Sequence, residues 1–192
     1  NVQEKICLVL GSIGYDMAIP YLADLSSSTS LDTVRSAADR AIRRIHGSNA
    51  LAQPVSTLYR ELASDYLSES PSLTSFPGET HQLLWSFSPS LGLQPTAIYT
   101  EVYHEAMAMR LAERALTLND SDSEAVAVWL EANFSRELDQ PEGYDNPAYA
   151  SGRRDAQYYA VAAGSTPVQL ALGEAAEAQR RQVHGLGGAV QD

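Results

Sequence analysis

Glu101-Val-Tyr-His104 has the spacing with which one helical turn can aim a carboxylate and an imidazole at a single metal ion. The pair occurs once, whereas a carboxylate-bridged dimetal centre needs a second copy and further glutamates from facing helices. Position 108 is Ala, so the second histidine of a zinc-protease helix is missing as well. The first reading is therefore no metal and no cofactor, and Glu101 with His104 is kept as the alternative metal-binding or lyase-type pair.

Asp120-Ser-Asp-Ser-Glu124 has the alternation of calcium ligands but lacks the glycine and the distant bidentate glutamate of an EF-hand loop. Ser121-Asp-Ser-Glu124 reads instead as a capping box for the following helix. His46, His81, His104 and His184 share no ligand spacing. Neither a Gly-x-Ser-x-Gly nucleophile turn nor a phosphate-binding glycine loop occurs, and Gly185-Leu-Gly-Gly188 follows no strand. These omissions point away from an enzyme.

The candidate contact residues are of another kind. Tyr144, Tyr149 and Tyr158 flank Arg153 and Arg154 near a loop that carries Pro141, Gly143 and Pro147. Tyr and Arg are enriched where protein interfaces concentrate their binding energy, so these five residues form the expected binding region.

Twenty-four acidic residues against thirteen Lys and Arg give a net charge of −11, which opposes general affinity for phosphate backbones and argues against nucleic acid as a partner. Arg35, Arg40, Arg43 and Arg44 spread around one helix and read as a solvated face. Cys7 is the single cysteine; among Ile6, Leu8 and Val9 it reads as a small buried apolar residue. No stretch approaches the roughly 20 apolar residues of a membrane span, so membrane insertion is not expected. The first residues lack a basic-then-apolar signal layout. Because the chain starts within a repeat pattern, its compartment stays open.

The elements that position these residues are mostly helical. Ile6, Val9, Leu10 and Ile13 fall at helical spacing before Gly14; Pro20 stands in the first turn of a second helix with Ile19, Leu22 and Ala23 as its stripe, ended by Ser26 to Ser30. Val34, Ala38, Ala41, Ile42 and Ile45 mark a third helix closed at His46-Gly47, and a fourth is expected from Pro54 to Leu67, with Val55, Leu58, Tyr59, Leu62, Ala63 and Tyr66 at helical offsets. Leu83, Trp85 and Phe87 alternate, Ser88 to Gly92 has turn chemistry and Leu93 to Ile98 can return, which predicts a short β-hairpin near 81–98 anchored on helices by Trp85. The stretch from Thr96 to Leu118 carries Val102, Ala106, Met109, Ala112 and Leu116 on one face. Helices at 125–138, 155–163 and 167–183 follow, the last ending at the glycine-rich 184–188.

Val2 to Gly14 and Val34 to His46 repeat one pattern about 32 residues apart, the mark of a stacked array. Leu10-Gly-Ser-Ile-Gly14, Ala18-Ile-Pro20 and Val34-Arg-Ser-Ala-Ala38 together resemble the short HEAT-like repeat first associated with phycobilisome lyases, over the first quarter of the chain. Ala108, Ala112 and Ala115 followed by Leu118-Asn-Asp120 are similar to the second helix and exit turn of a tetratricopeptide repeat, although Asp120 replaces the usual Pro and Leu130 a small residue. Such combinations occur in uncharacterised bacterial repeat proteins. The resemblance implies a mainly α protein, an α–α superhelix or HEAT/TPR-like solenoid, with a binding surface and no catalytic residues.

The expected organisation is HEAT-like helices over 1–68, a Ser/Pro-rich linker and hairpin over 69–98, a TPR-like helical region over 99–183, and a flexible tail over 184–192. The expected function is a noncatalytic scaffold, part of a larger repeat protein, that binds an unidentified protein partner and self-associates through exposed repeat ends.

Overall fold

The computed structural model describes residues 1–47, 52–150 and 152–188, with helical side chains as far as Glu177. Among these residues are eight α-helices and one two-stranded antiparallel sheet.

Helix α1, Val2–Ile13, starts where the Asn1 side chain accepts the Gln3 N–H at 3.0 Å and stops at Gly14, whose φ of 81° is the left-handed turn that glycine adopts without strain. Helix α2, Ile19–Ser28, carries Pro20 in its first turn. It outlasts the expected break at Ser26 because the Ser27 and Ser28 hydroxyls donate to the Asp24 carbonyl at 2.9 and 2.7 Å, spending within the helix the hydrogen bonds that serine otherwise uses to leave one. Helix α3, Asp32–His46, and helix α4, Val55–Leu67, follow. Their buried residues include Val34, Ala38, Ala41 and Ile42, then Leu58, Tyr59, Leu62, Ala63 and Tyr66.

Strands β1, His81–Ser88, and β2, Gly92–Tyr99, form the expected hairpin, with Trp85 opposite Pro95 and Phe87 opposite Leu93. Its anchor differs from the expected one. Gln82, Leu84 and Ile98 face the core, and the alternation of a strand then turns Trp85 and Phe87 outward, 47% and 73% exposed. Buried Gln82 holds the preceding connection: its amide donates to Phe76 O and Thr100 Oγ1 at 2.8 and 3.2 Å, and its carbonyl accepts the Phe76 N–H at 3.0 Å.

The stretch from Thr96 divides into the end of β2, a single 3-10 turn at Thr100–Val102, and helix α5, Tyr103–Leu118. Helix α6, Ser123–Asp139, is capped by Asp122, which accepts from Glu124 N and Ala125 N at 3.1 and 3.0 Å. Ser121, expected to be that cap, turns back to Asn119 instead, because a carboxylate beside the positive helix end is the stronger acceptor. Helix α7 spans Ala156–Ala163 and α8 spans Ser165–Gly188. The α8 backbone thus continues beyond Val183 through part of the stretch expected to be a tail; glycine disfavours a helix by about 1 kcal/mol without forbidding it. The rest of that tail, 189–192, lies outside the described residues.

Two apolar clusters form. The smaller is built from α1, α2 and α3 around Cys7, Ile19, Leu22, Ala38 and Ile42, with Leu58 of α4 at its edge. The larger gathers α4, α5, α6 and α8 with the inner face of the hairpin, around Tyr66, Met109, Leu111, Val128 and Leu130. By packing, α4 belongs chiefly with α5, although the sequence grouped it with the first helices. Ala108, Ala112 and Ala115 are fully buried on α5, where small side chains let neighbouring helices approach.

Helix α1 packs differently from its expected stripe. Cys7 and Gly11 face α3, whereas Ile6, Val9 and Ile13 are each about half exposed. The contact is backbone to backbone: a β-carbon on Gly11 would stand 2.9 Å from Ala41 Cα, so the seam selects the smallest residues and leaves the branched ones on the free face.

Candidate interaction site

Helix α5 turns Ala106, Met109, Arg110 and Glu113 toward the hairpin, a stripe at helical spacing. Helix α6 supplies Arg136, β1 and β2 supply Leu84, Ser86 and Thr96, and the loop before α7 supplies Tyr149 and Arg153. Between them lies a half-open cleft of about 260 Å³.

Arg136 organises this cleft. Its guanidinium, almost wholly buried, donates from Nε and Nη2 to Asn133 Oδ1 at 3.1 and 2.9 Å, from Nη1 to Gln140 Oε1 at 3.2 Å and from Nη2 to Glu137 Oε1 at 3.1 Å. It lies 3.7 Å from the centre of the Tyr149 ring, a cation–π contact, and Arg153 approaches the same ring at 5.3 Å. Arg153 also donates to Glu113 Oε1 at 2.7 Å, and the Trp129 indole donates to that oxygen at 3.1 Å. The bond to Glu113 raises the Arg153 pKa, and burial raises that of the Tyr149 phenol. Arg110, at the rim, donates to the Trp85 carbonyl at 2.7 Å.

Buried Asn146 accepts the Ala148 N–H at 2.9 Å, a local turn that offsets the missing donor of Pro147, and the Tyr149 hydroxyl donates to the Arg154 carbonyl at 2.5 Å.

Of the five residues expected to bind, Tyr149 and Arg153 meet in the cleft. Tyr144 stands elsewhere: its hydroxyl accepts the Tyr99 N–H at 3.3 Å and its ring lies 4.4 Å from that of Tyr99, which ties the loop to the end of β2. Arg154 and Tyr158 are exposed outside the cleft, 5.7 Å apart from guanidinium to ring centre. Sequence reasoning missed Arg110, Glu113, Asn133 and Arg136. For Arg136 a signal existed: it sits seven residues after Trp129 on the buried stripe of α6, where an arginine must find partners or cost several kcal/mol.

Glu101 and His104 do not converge. Glu101 lies exposed in the 3-10 turn, whereas His104 is buried at the start of α5. The Tyr66 carbonyl, an acceptor only, lies 3.0 Å from His104 Nδ1, so Nδ1 carries a hydrogen; Thr74 Oγ1 stands 2.8 Å from Nε2. Both ring nitrogens are engaged, and the histidine joins the end of α4 to the following connection. Among the described residues no three His, Cys, Asp or Glu side chains come together as a metal set.

A larger cleft of about 750 Å³ opens between α4 and the ends of α1 and α3, with Asp16, His46, Glu61 and Asp65 on its walls. Asp16 lies 3.6 Å from His46, and burial raises the Asp65 carboxyl above its ordinary pKa. Among the described residues no helix is long and apolar enough to cross a membrane.

Comparison with known proteins gives no family model, curated protein or solved structure that matches the chain.

Proposed function

We propose that this chain is a noncatalytic helical scaffold that captures a protein partner, with the cleft of Tyr149 and Arg153 at the centre of its contact surface. The observation that carries this reading is the meeting of two arginines and an aromatic ring in a half-open cleft, the residue types in which protein interfaces concentrate their binding energy. In the same reading the helices form a HEAT-like and then TPR-like array, and each buries its stripe against near neighbours: α1 on α3, α3 on α2, α4 on α5, α5 on α6. The half-exposed face of α1, with Ile6, Val9 and Ile13, is where such an array would self-associate, and concentration-dependent light scattering tests that part.

Replacing Arg153 and Arg154 together by Ala tests the whole. The double variant should keep its circular dichroism spectrum, because both side chains are exposed, and should lose the partner that the unaltered chain captures from its native extract. Undiminished capture of that partner would reject the assignment. The Glu101–His104 alternative gains nothing from the geometry, since the imidazole has no free nitrogen.

A further inference from the structure

We infer that the cleft under the hairpin receives a carboxylate, presented by an acidic side chain of the bound partner. The inference rests on the reading of this cleft as the partner site and adds the chemistry of what enters it.

The charge balance favours a single anion. Arg153 is neutralised by Glu113 at 2.7 Å and Arg136 by Glu137 at 3.1 Å, whereas Arg110 makes no ion pair among the described residues. Its one short contact is to the Trp85 carbonyl, which leaves further N–H groups of the planar guanidinium to donate elsewhere. Arg110 is exposed at the rim, so a monoanion can pair with it there, whereas a phosphate dianion would bring a second negative charge with no unpaired cation among the described residues of the cleft to meet it.

The walls favour a carboxylate on a short apolar stem. Leu84, Ala106 and Met109 form the floor and Pro147 with Ala148 one side, while Arg110 and Arg153 both border the opening. Methylene groups can lie on this floor while the carboxylate meets the arginine forks, a charge-assisted geometry about twice as strong as a neutral hydrogen bond. The guanidinium of Arg136, fixed by Asn133, Gln140 and Glu137 and stacked on Tyr149, holds the Tyr149 wall in place before anything binds.

Nuclear magnetic resonance of the intact chain tests this with three probes: acetyl-glutamate α-amide, its neutral counterpart acetyl-glutamine amide, and butyrate. The acidic amide should give saturable shifts of the Arg110 and Arg153 Nε–H signals and of the Trp129 indole, and the neutral amide none. Arg110→Gln should weaken binding about tenfold or more while leaving the remaining spectrum in place, and Arg40→Gln, on α3, should not change it. Tighter binding of the acidic amide than of butyrate supports a partner side chain. Tighter binding of butyrate, equal shifts from the neutral amide, or no saturable shift from either acid overturns the inference. Loss of partner capture in the Arg153/Arg154 double variant does not follow from the carboxylate test: if capture depends on those arginines but neither acid binds, the scaffold reading survives and this inference falls.

Discussion

The α1–α3 cluster is closed by small residues. Gly11 meets Ala41, Ala37 and Ala38 lie fully buried beside them, and the polar side chains of these helices stay out of the cluster's centre, Asp24 facing the seam with the other cluster. The α4–α8 cluster buries Gln82, His104, Glu105, Asn133 and Arg136 among its apolar side chains. Close backbone approach specifies one mutual position of two helices at little electrostatic cost, whereas a buried polar network specifies loops and strands that have no regular seam of their own. The cleft stands in the second region for that reason: facing α5 and α6, its other walls are a hairpin and a loop, and hydrogen bonds hold both.

The sharpest way to break the contrast is Arg136→Ala. It removes the centre of the second region's network, leaves Glu137 and Asn133 with lost partners, and frees the Tyr149 ring. A loss of about 3–5 kcal/mol is expected in urea unfolding. A loss under about 1 kcal/mol, the scale of an exposed ion pair, would show that the network is ornamental.

Glu105 gives the second region a pH dependence. Burial, and then the charges of Glu69 and Asp139, push its carboxyl up to about 7, and among the described residues its Oε2 has no hydrogen-bond partner. Burial and Glu174 push Glu131 up to about 7 as well. A carboxyl whose folded pKa exceeds its unfolded value holds a proton in the folded state that the unfolded chain has released. Stability is therefore fully present below about pH 4.5 and falls as pH rises through about 7, for Glu105 by on the order of 3 kcal/mol. Glu105→Gln should remove its share of this fall, raising stability at pH 8 relative to the unaltered chain while Glu131 continues to titrate. Parallel pH–stability curves for the two proteins would contradict the assignment.

Much of the first region was legible because its determinants are local. Gly14 and Gly47 end helices by their own backbone freedom, and the alanines of α3 repeat with the helical period. The hairpin's existence was legible as well, because alternation and turn residues are local signals. Its inward face was not: Trp85 outranks Leu84 in apolar area, and only packing into the larger cluster decides which of the two parities is buried. Of the cleft, Tyr149 and Arg153 were found from residue type near a loop, but Arg110, Glu113 and Arg136 come from two other helices, and nothing in their own spacing announces that a loop will cross them.

Gly11→Ala sharpens the comparison from the other side. The added carbon meets Ala41 Cα at 2.9 Å, so helix α1 must move away from α3, an overpacking cost of about 1–3 kcal/mol that the better helix propensity of alanine offsets by about 1 kcal/mol. A net loss of up to about 2 kcal/mol is expected in thermal unfolding. A gain in stability would mean that the two helices are not held in contact at this point, and the account of α1 would fail.

The smallest effect lies on the seam between the regions. Asp24 of α2 accepts a forked pair from Arg114 of α5, at 2.9 Å and 2.7 Å, and the Tyr59 hydroxyl of α4 at 3.0 Å, so one carboxylate links its own helix to two helices of the other cluster. Asp24 is mostly buried and Arg114 is not, which limits the pair to about 1 kcal/mol once solvent screening is counted. A double-mutant cycle of Asp24→Asn and Arg114→Gln should give a coupling of that size. The informative measurement is the form of the unfolding curve. If this seam makes the clusters cooperative, the double variant should separate the transition of α1–α3 from that of the rest, seen as different midpoints for Tyr21 and Trp129 environments. Coincident midpoints in the double variant would place the cooperativity elsewhere, in the apolar contact of Val55 and Leu58 with α2, and the polar link would then be a consequence of the stacking rather than one of its causes.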